Sequence, residues 1–190
     1  MSRLFTALCL ALLWPALAMA QTLPGGAAPP VHPGTKLNFP PTLGGGQLVR
    51  SYTYPIGRDV AYSYQYIADK MPITVVLFDG GRRVQAGSDG PSVVAQFTSE
   101  VDAAERTTRQ EGFTNFEKQP VPSTCTYGGL AFRCSIYSAL VQRDRVFSKL
   151  LLTGFRDHFV KIRIDWSQGS SQVSADADRA LKAFIPALMR

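Results

Sequence analysis

Two histidines, three cysteines and a run of alternating tyrosines are the side chains of this 190-residue chain that first invite a chemical reading. His158 follows Asp157 directly. An imidazole beside a carboxylate is the pairing that general-base catalysis uses. Neighbours on a strand, however, point to opposite faces, so this dipeptide is no ready dyad. The sequence therefore reads His158 as a structural or solvated histidine, with a small exported hydrolase using His158 and a nearby acid as an alternative. His32 lies in a Pro-rich stretch. No His, Cys, Asp and Glu cluster has metal spacing, so no metal is expected. Gly44-Gly45-Gly46 and Gly80-Gly81 lack the Lys-Ser/Thr of a phosphate loop, and no Gly-x-Ser-x-Gly elbow occurs. No cofactor is expected, and the chain reads as non-catalytic.

Cys9 sits in the leader, which leaves Cys125 and Cys134. In an oxidising compartment such a pair reads as one disulfide. The run from Cys125 to Cys134 can form a hairpin. With Gly129-Leu130 as a type II′ turn, Cys125 falls directly opposite Cys134.

Tyr62, Tyr64 and Tyr66 share one face of a period-two run. Such an aromatic surface could stack sugars or grip an apolar peptide, and tyrosine's strand propensity explains it equally. The net charge is +6, and the excess gathers in residues 119–164. Arg143, Arg145, Lys161 and Arg163 from that segment are the candidates for anion contact. In an exported protein the partner would be an envelope protein, an anionic glycan or a lipid, and not nucleic acid.

The elements that must position these groups can be read next. Residues 1–20 have the form of a secretory signal peptide, with Arg3, an apolar run from Leu4 to Leu17, and Ala18-Met19-Ala20 as cleavage site. This predicts a periplasmic or, alternatively, extracellular protein with no transmembrane segment in the mature chain. Residues 21–37 read as a Pro/Gly-rich flexible tail or linker. Residues 38–190 read as one domain, long enough to bury a core without a metal.

Within that body, Leu48–Tyr54, Val60–Ile67 and Ile73–Phe78 read as strands. A helix is predicted over 91–111, with Pro91 at its first position and Gly112 as its C-terminal cap. Strands follow at Phe113–Val121, at the hairpin Thr124–Tyr127/Ala131–Val141, at Arg145–Phe155 and at His158–Trp166. Turns at Arg143-Asp144 and Arg156-Asp157 would stack Ile136, Leu151 and Ile162 on one face, which Lys149 interrupts. Lys149 is therefore expected at a rim. A last helix starts near Ser174. The order is βββαββββα: an α+β fold, a mostly antiparallel sheet with two amphipathic helices packed on it.

The stretch from Leu37 to Phe78, with Asn38-Phe39-Pro40-Pro41-Thr42-Leu43-Gly44-Gly45, then Val60–Tyr66 and Val75–Phe78, resembles uncharacterised exported proteins of Gram-negative bacteria. The element order is similar to the PsbP-like α/β sandwich fold. That resemblance implies an accessory or binding role and brings no site residues. The resulting expectation is a non-catalytic binding or accessory protein of the envelope. A protein inhibitor or immunity-type protein, docking through the loop Arg82–Gly90, is a further alternative.

Overall fold

The computed structural model describes residues 26–56, 59–167 and 173–190, and the expected signal peptide lies outside them. In chain order the elements are β1 (Thr42–Leu43), β2 (Gly46–Ile56), β3 (Asp59–Ala68), β4 (Met71–Phe78), α1 (Pro91–Gln110), β5 (Thr114–Lys118), β6 (Thr124–Tyr127), β7 (Leu130–Val141), β8 (Asp144–Phe155), β9 (His158–Ser167) and α2 (Val173–Leu188). The nine strands form one sheet in the order β1-β2-β3-β4-β9-β8-β7-β5, with β6 on β7 beside β5. Each of these pairings is antiparallel. The described residues form a single α+β domain.

The central strands are apolar in continuous runs because both sheet faces are covered. Val75, Val76, Leu77 and Phe78 of β4 are all buried, as are Ile164, Asp165 and Trp166 of β9. On one face, α2 sets Ala177, Leu181, Phe184 and Ile185 in a cluster with Tyr66, Ile73, Val75, Ile162 and Ile164. On the other, α1 sets Val93, Phe97, Val101 and Ala104 in a cluster with Val76, Phe78, Leu150 and Phe159. Helix α1 opens on Gly90 and Pro91. It closes with Gly112 at φ 75°, whose N–H donates to Arg109 O while that of Phe113 donates to Thr108 O. This is a Schellman closure, which glycine makes without strain.

Several expectations change. The strand order gains the two-residue β1, folded onto β2 through Gly44-Gly45, and five strands follow α1. The β6–β7 hairpin turns at Gly128-Gly129, with Tyr127 facing Leu130. Both glycines have positive φ, 58° and 81°, the geometry that a tight hairpin of this hand requires. Cys125 therefore faces Phe132, and the disulfide to Cys134 runs diagonally across the pair at a Cα–Cα distance of 6.0 Å. The β7–β8 turn is Gln142-Arg143, so Ile136 faces Lys149 and not Leu151. The shift is by two residues, which leaves every side chain on its expected face. The β8–β9 register is as expected, with Leu151 opposite Ile162 and Phe147 opposite Trp166.

Residues 26–37 differ from the expected tail. His32, Thr35 and Leu37 are buried, and the segment is tied down by Phe39 N–H to Pro30 O and Thr53 N–H to Gly26 O. A Pro-rich segment has little conformational entropy to lose, which favours such docking.

Candidate functional site

The tyrosine ladder lies beneath this N-terminal strap and is not an open platform. Tyr64 and Tyr66 are fully buried. Phe39 stacks on Tyr64 with ring centroids 3.5 Å apart and nearly parallel planes. Tyr64 Oη donates to Pro29 O at 2.7 Å, and Tyr66 Oη to Pro40 O at 2.9 Å. Burial raises both phenol pKa values, that of Tyr66 to about 12. Tyr62 is half-buried, with its ring edge-on to His32 at 4.7 Å. The ladder is thus the chain's own packing surface, and stacking of a sugar on Tyr64 or Tyr66 has no access.

The two histidines, far apart in sequence, meet here. Their ring centroids are 4.9 Å apart. His32 Nδ1 accepts the N–H of Thr35, and the strap turn presses so close to the His158 ring that Gly34 has no room for a Cβ. His158 Nδ1 faces Arg156 O at 2.8 Å, while Asp157 pairs with Arg83 on the surface. The Asp157–His158 pairing therefore serves two separate contacts. The loop Arg82–Gly90 does not protrude. It bridges to the β8–β9 hairpin through Val84 to Asp157 and Gly87 to Gly154.

Lys161 and Arg163 lie on the sheet face opposite the tyrosines, whereas Arg145, two turns of the pleat from Lys149 on β8 and bonded to Ser138, lies on the tyrosine face. Across the ladder, Arg50, Gln65, Thr74, Arg163, Leu150 and Ser135 form one row. Three of the four basic residues are engaged by carboxylates. Arg145 Nη1 donates to Glu117 Oε2 at 2.9 Å, Lys161 Nζ to Glu100 Oε2 at 3.0 Å, and Arg163 Nε to Asp165 Oδ1 at 2.6 Å. The Lys161 and Arg163 side chains and their partners are mostly buried. Lys161 and Arg163 balance charge under α1, Arg145 balances Glu117 beside β5, and none of the three presents its charge to an anion. Arg143 alone of the set is exposed, at the β7–β8 turn.

One member of these ion pairs, Arg163, lines a cavity of about 40 Å³ at the C-terminal end of α1. Its polar lining is Thr107, Thr108, Glu111, Tyr137, Ser148 and Arg163, and its walls are Ala104, Phe113, Val141 and Val146. The Schellman closure fixes Glu111 and Phe113 at the rim. Ser148 Oγ donates to the buried Asp165 at 2.5 Å, so towards the cavity it can only accept. Burial raises the Tyr137 phenol pKa to about 12, against the pull of Arg163. Both carboxylate oxygens of Glu111 are buried with no hydrogen-bond partner. Burial pushes the Glu111 carboxyl above its ordinary value, with Arg163 acting the other way. A volume of this size holds about three waters, well below the several hundred Å³ of a cofactor pocket. Among the described residues, no group of three or more His, Cys, Asp and Glu could hold a metal ion.

None of Glu111, Tyr137, Ser148 and Asp165 stood out in the sequence, because each comes from a different element and only the strand registers bring them together. No protein-family model matches the chain, and no similar curated protein or solved structure is found. Among the described residues, no helix is long and apolar enough to cross a membrane.

Proposed function

We propose that this chain is an exported, non-catalytic binding or accessory protein of the cell envelope, acting in the periplasm. Its contact surface is the groove between α1 and the sheet. One observation carries this reading: the partly enclosed cavity under α1 is lined by hydroxyls and by a carboxylate left without a hydrogen bond. Buried polar groups in folded proteins are normally satisfied, and an exception calls for a functional or solvent partner. The leader-like residues 1–20 support export, and Cys125–Cys134 fits an oxidising compartment. The resemblance to accessory proteins of the PsbP-like fold agrees with this reading. The partner fits an envelope protein better than an anionic glycan or lipid, because Arg145, Lys161 and Arg163 already serve internal carboxylates.

The test uses the full chain expressed in a Gram-negative host. It should be processed after Ala20 and recovered in the periplasmic fraction. A photo-crosslinker at Gln110, beside the cavity, should give a discrete adduct with an envelope protein, and one at Arg179 on exposed α2 should not. Retention in the cytoplasm, or equal labelling from both positions, would overturn the proposal.

A further inference from the structure

The charges under α1 do not close. Lys161 has Glu100, and Arg163 has Asp165. Among the described residues, Glu111 is a third carboxylate with no third cation paired to it. Its nearest positive neighbour is Arg163, which Asp165 already holds. The cavity in front of Glu111 is lined by its carboxylate, by the hydroxyls of Thr107, Thr108, Tyr137 and Ser148, and by the Arg163 guanidinium, whose charge Asp165 meets, so one negative charge remains in excess. Ser148 Oγ has committed its proton to Asp165. Thr108 Oγ1 has committed its own to Ala104 O. These two hydroxyls can therefore only accept from the cavity. Carboxylate and hydroxyl acceptors at the base, with apolar walls from Phe113, Val141 and Val146 above, describe a socket for a group with three N–H donors, one positive charge and an alkyl stem.

We propose that this cavity binds a primary alkylammonium group, whose charge meets that of Glu111. The volume matches the head of such a group. About three waters fit the cavity, so a nitrogen and two methylenes can replace them while the stem runs out along the walls. The same chemistry reaches the envelope in two forms, as a free alkylamine and as a lysine side chain of a partner protein. This inference deepens the binding role proposed for the α1 groove and rests on it.

The experiment titrates the full chain, labelled with ¹⁵N, using n-butylammonium, putrescine and Nα-acetyl-lysine amide. Tetramethylammonium serves as an equally charged probe without N–H donors. Primary amines should shift the amide signals of Thr107, Thr108 and Phe113, and tetramethylammonium should not. Stronger binding of putrescine marks a free amine as the ligand. Stronger binding of the lysine amide marks a partner's side chain. Glu111→Gln, which keeps the shape, should weaken binding at least ten-fold, and Asp144→Asn, on the nearby turn, should leave it unchanged. Binding should weaken on acidification as Glu111 takes a proton. The groups around it, Arg163 and Asp165 on β9, Tyr137 on β7, Ser148 on β8 and Glu100 on α1, are unaltered in the variant and allow that step to be assigned. Absence of shifts with every primary amine, or equal binding by Glu111→Gln, would overturn the ammonium site and leave a cavity holding water only. If the Gln110 crosslink persists in that case, the groove remains a contact surface and only its ligand class falls. If both fail, the binding role falls with it.

Discussion

On the α2 face of the sheet, polar groups are present and nearly all are satisfied; on the α1 face, they are more numerous and some are not. The first face shows the pattern at Lys149. It faces Ile136 and Ile164 inside the core and was expected at a rim. The structure keeps it in place with partners. Its Nζ donates to Tyr127 Oη at 2.5 Å and to Asp178 Oδ1 at 3.2 Å, while Lys182 holds the other carboxylate oxygen at 2.9 Å. The second face has ion pairs too, yet leaves the Glu111 carboxylate bare beside a cavity. Both faces carry charge, so charge alone does not distinguish them. What differs is closure. A face whose polar groups are all matched can only contribute stability, whereas one with an unmatched group can respond to something from outside.

The largest test of this contrast is Phe39→Ala. Phe39 is 1 % exposed and stacked on Tyr64. Removing a buried phenylalanine should cost about 3–5 kcal/mol, read from urea unfolding. Phe116→Ala, half-buried beside Tyr137 on the other face, should cost less than half as much. Equal losses would break the comparison, because the strap would then add nothing to the α2-face core. Next in size is the disulfide, whose Cys134 lies in the same core. Replacing Cys125 and Cys134 together by Ser should lower stability by about 2–3 kcal/mol, the loop-closure value for so short a loop.

A smaller effect separates the faces by pH. Burial would raise the Asp178 pKa, but Tyr127, Lys182 and Lys149 outweigh it and hold the carboxyl at about 2. A pKa lowered in the folded state means stability that is present above the ordinary value of 3.8 and is lost as pH falls toward 2. Asp178→Asn should therefore cost about 1 kcal/mol at pH 6, a figure kept small because the side chain is 35 % exposed, and almost nothing at pH 2. A uniform loss across that range would mean that Asp178 acts through packing and not through its charge.

The fold was legible where local rules act alone. The α1 boundaries followed from Gly90-Pro91 and Gly112, and the β8–β9 register from Arg156-Asp157, both at positive φ. The Gly-Gly hairpin was misread by two residues of register because a II′ turn and a turn with two positive-φ residues both accept glycine. The strap was misread because its burial depends on Tyr64 and Tyr66, which proline and glycine content does not report. The candidate site was the least legible part. Arg163 and Lys161 could be named from strand alternation, but their carboxylate partners Glu100 and Asp165 come from a helix and from a position two residues along the same strand. Glu111 follows the last turn of α1, and nothing in its local sequence marks a buried carboxylate.

The smallest expected effect is the most informative, because its sign is reversed. Burial raises the Glu111 pKa, so the folded state binds its proton more tightly than the unfolded chain does. The stability this confers is full below the ordinary glutamate value of 4.5 and is lost as pH rises through the folded value. Glu111→Gln removes the penalty of holding a bare carboxylate. It should leave stability unchanged at pH 3 and raise it at pH 7, by about 1 kcal/mol or less. Measured by urea unfolding at both pH values, this result would place a destabilising residue at the one cavity where the chain has an unmatched charge. Loss of alkylammonium binding in the same variant would then tie that unmatched charge to a ligand. A loss of stability at pH 7 would instead show that Glu111 is matched in the folded protein, and the α1 face would then be as closed as the α2 face.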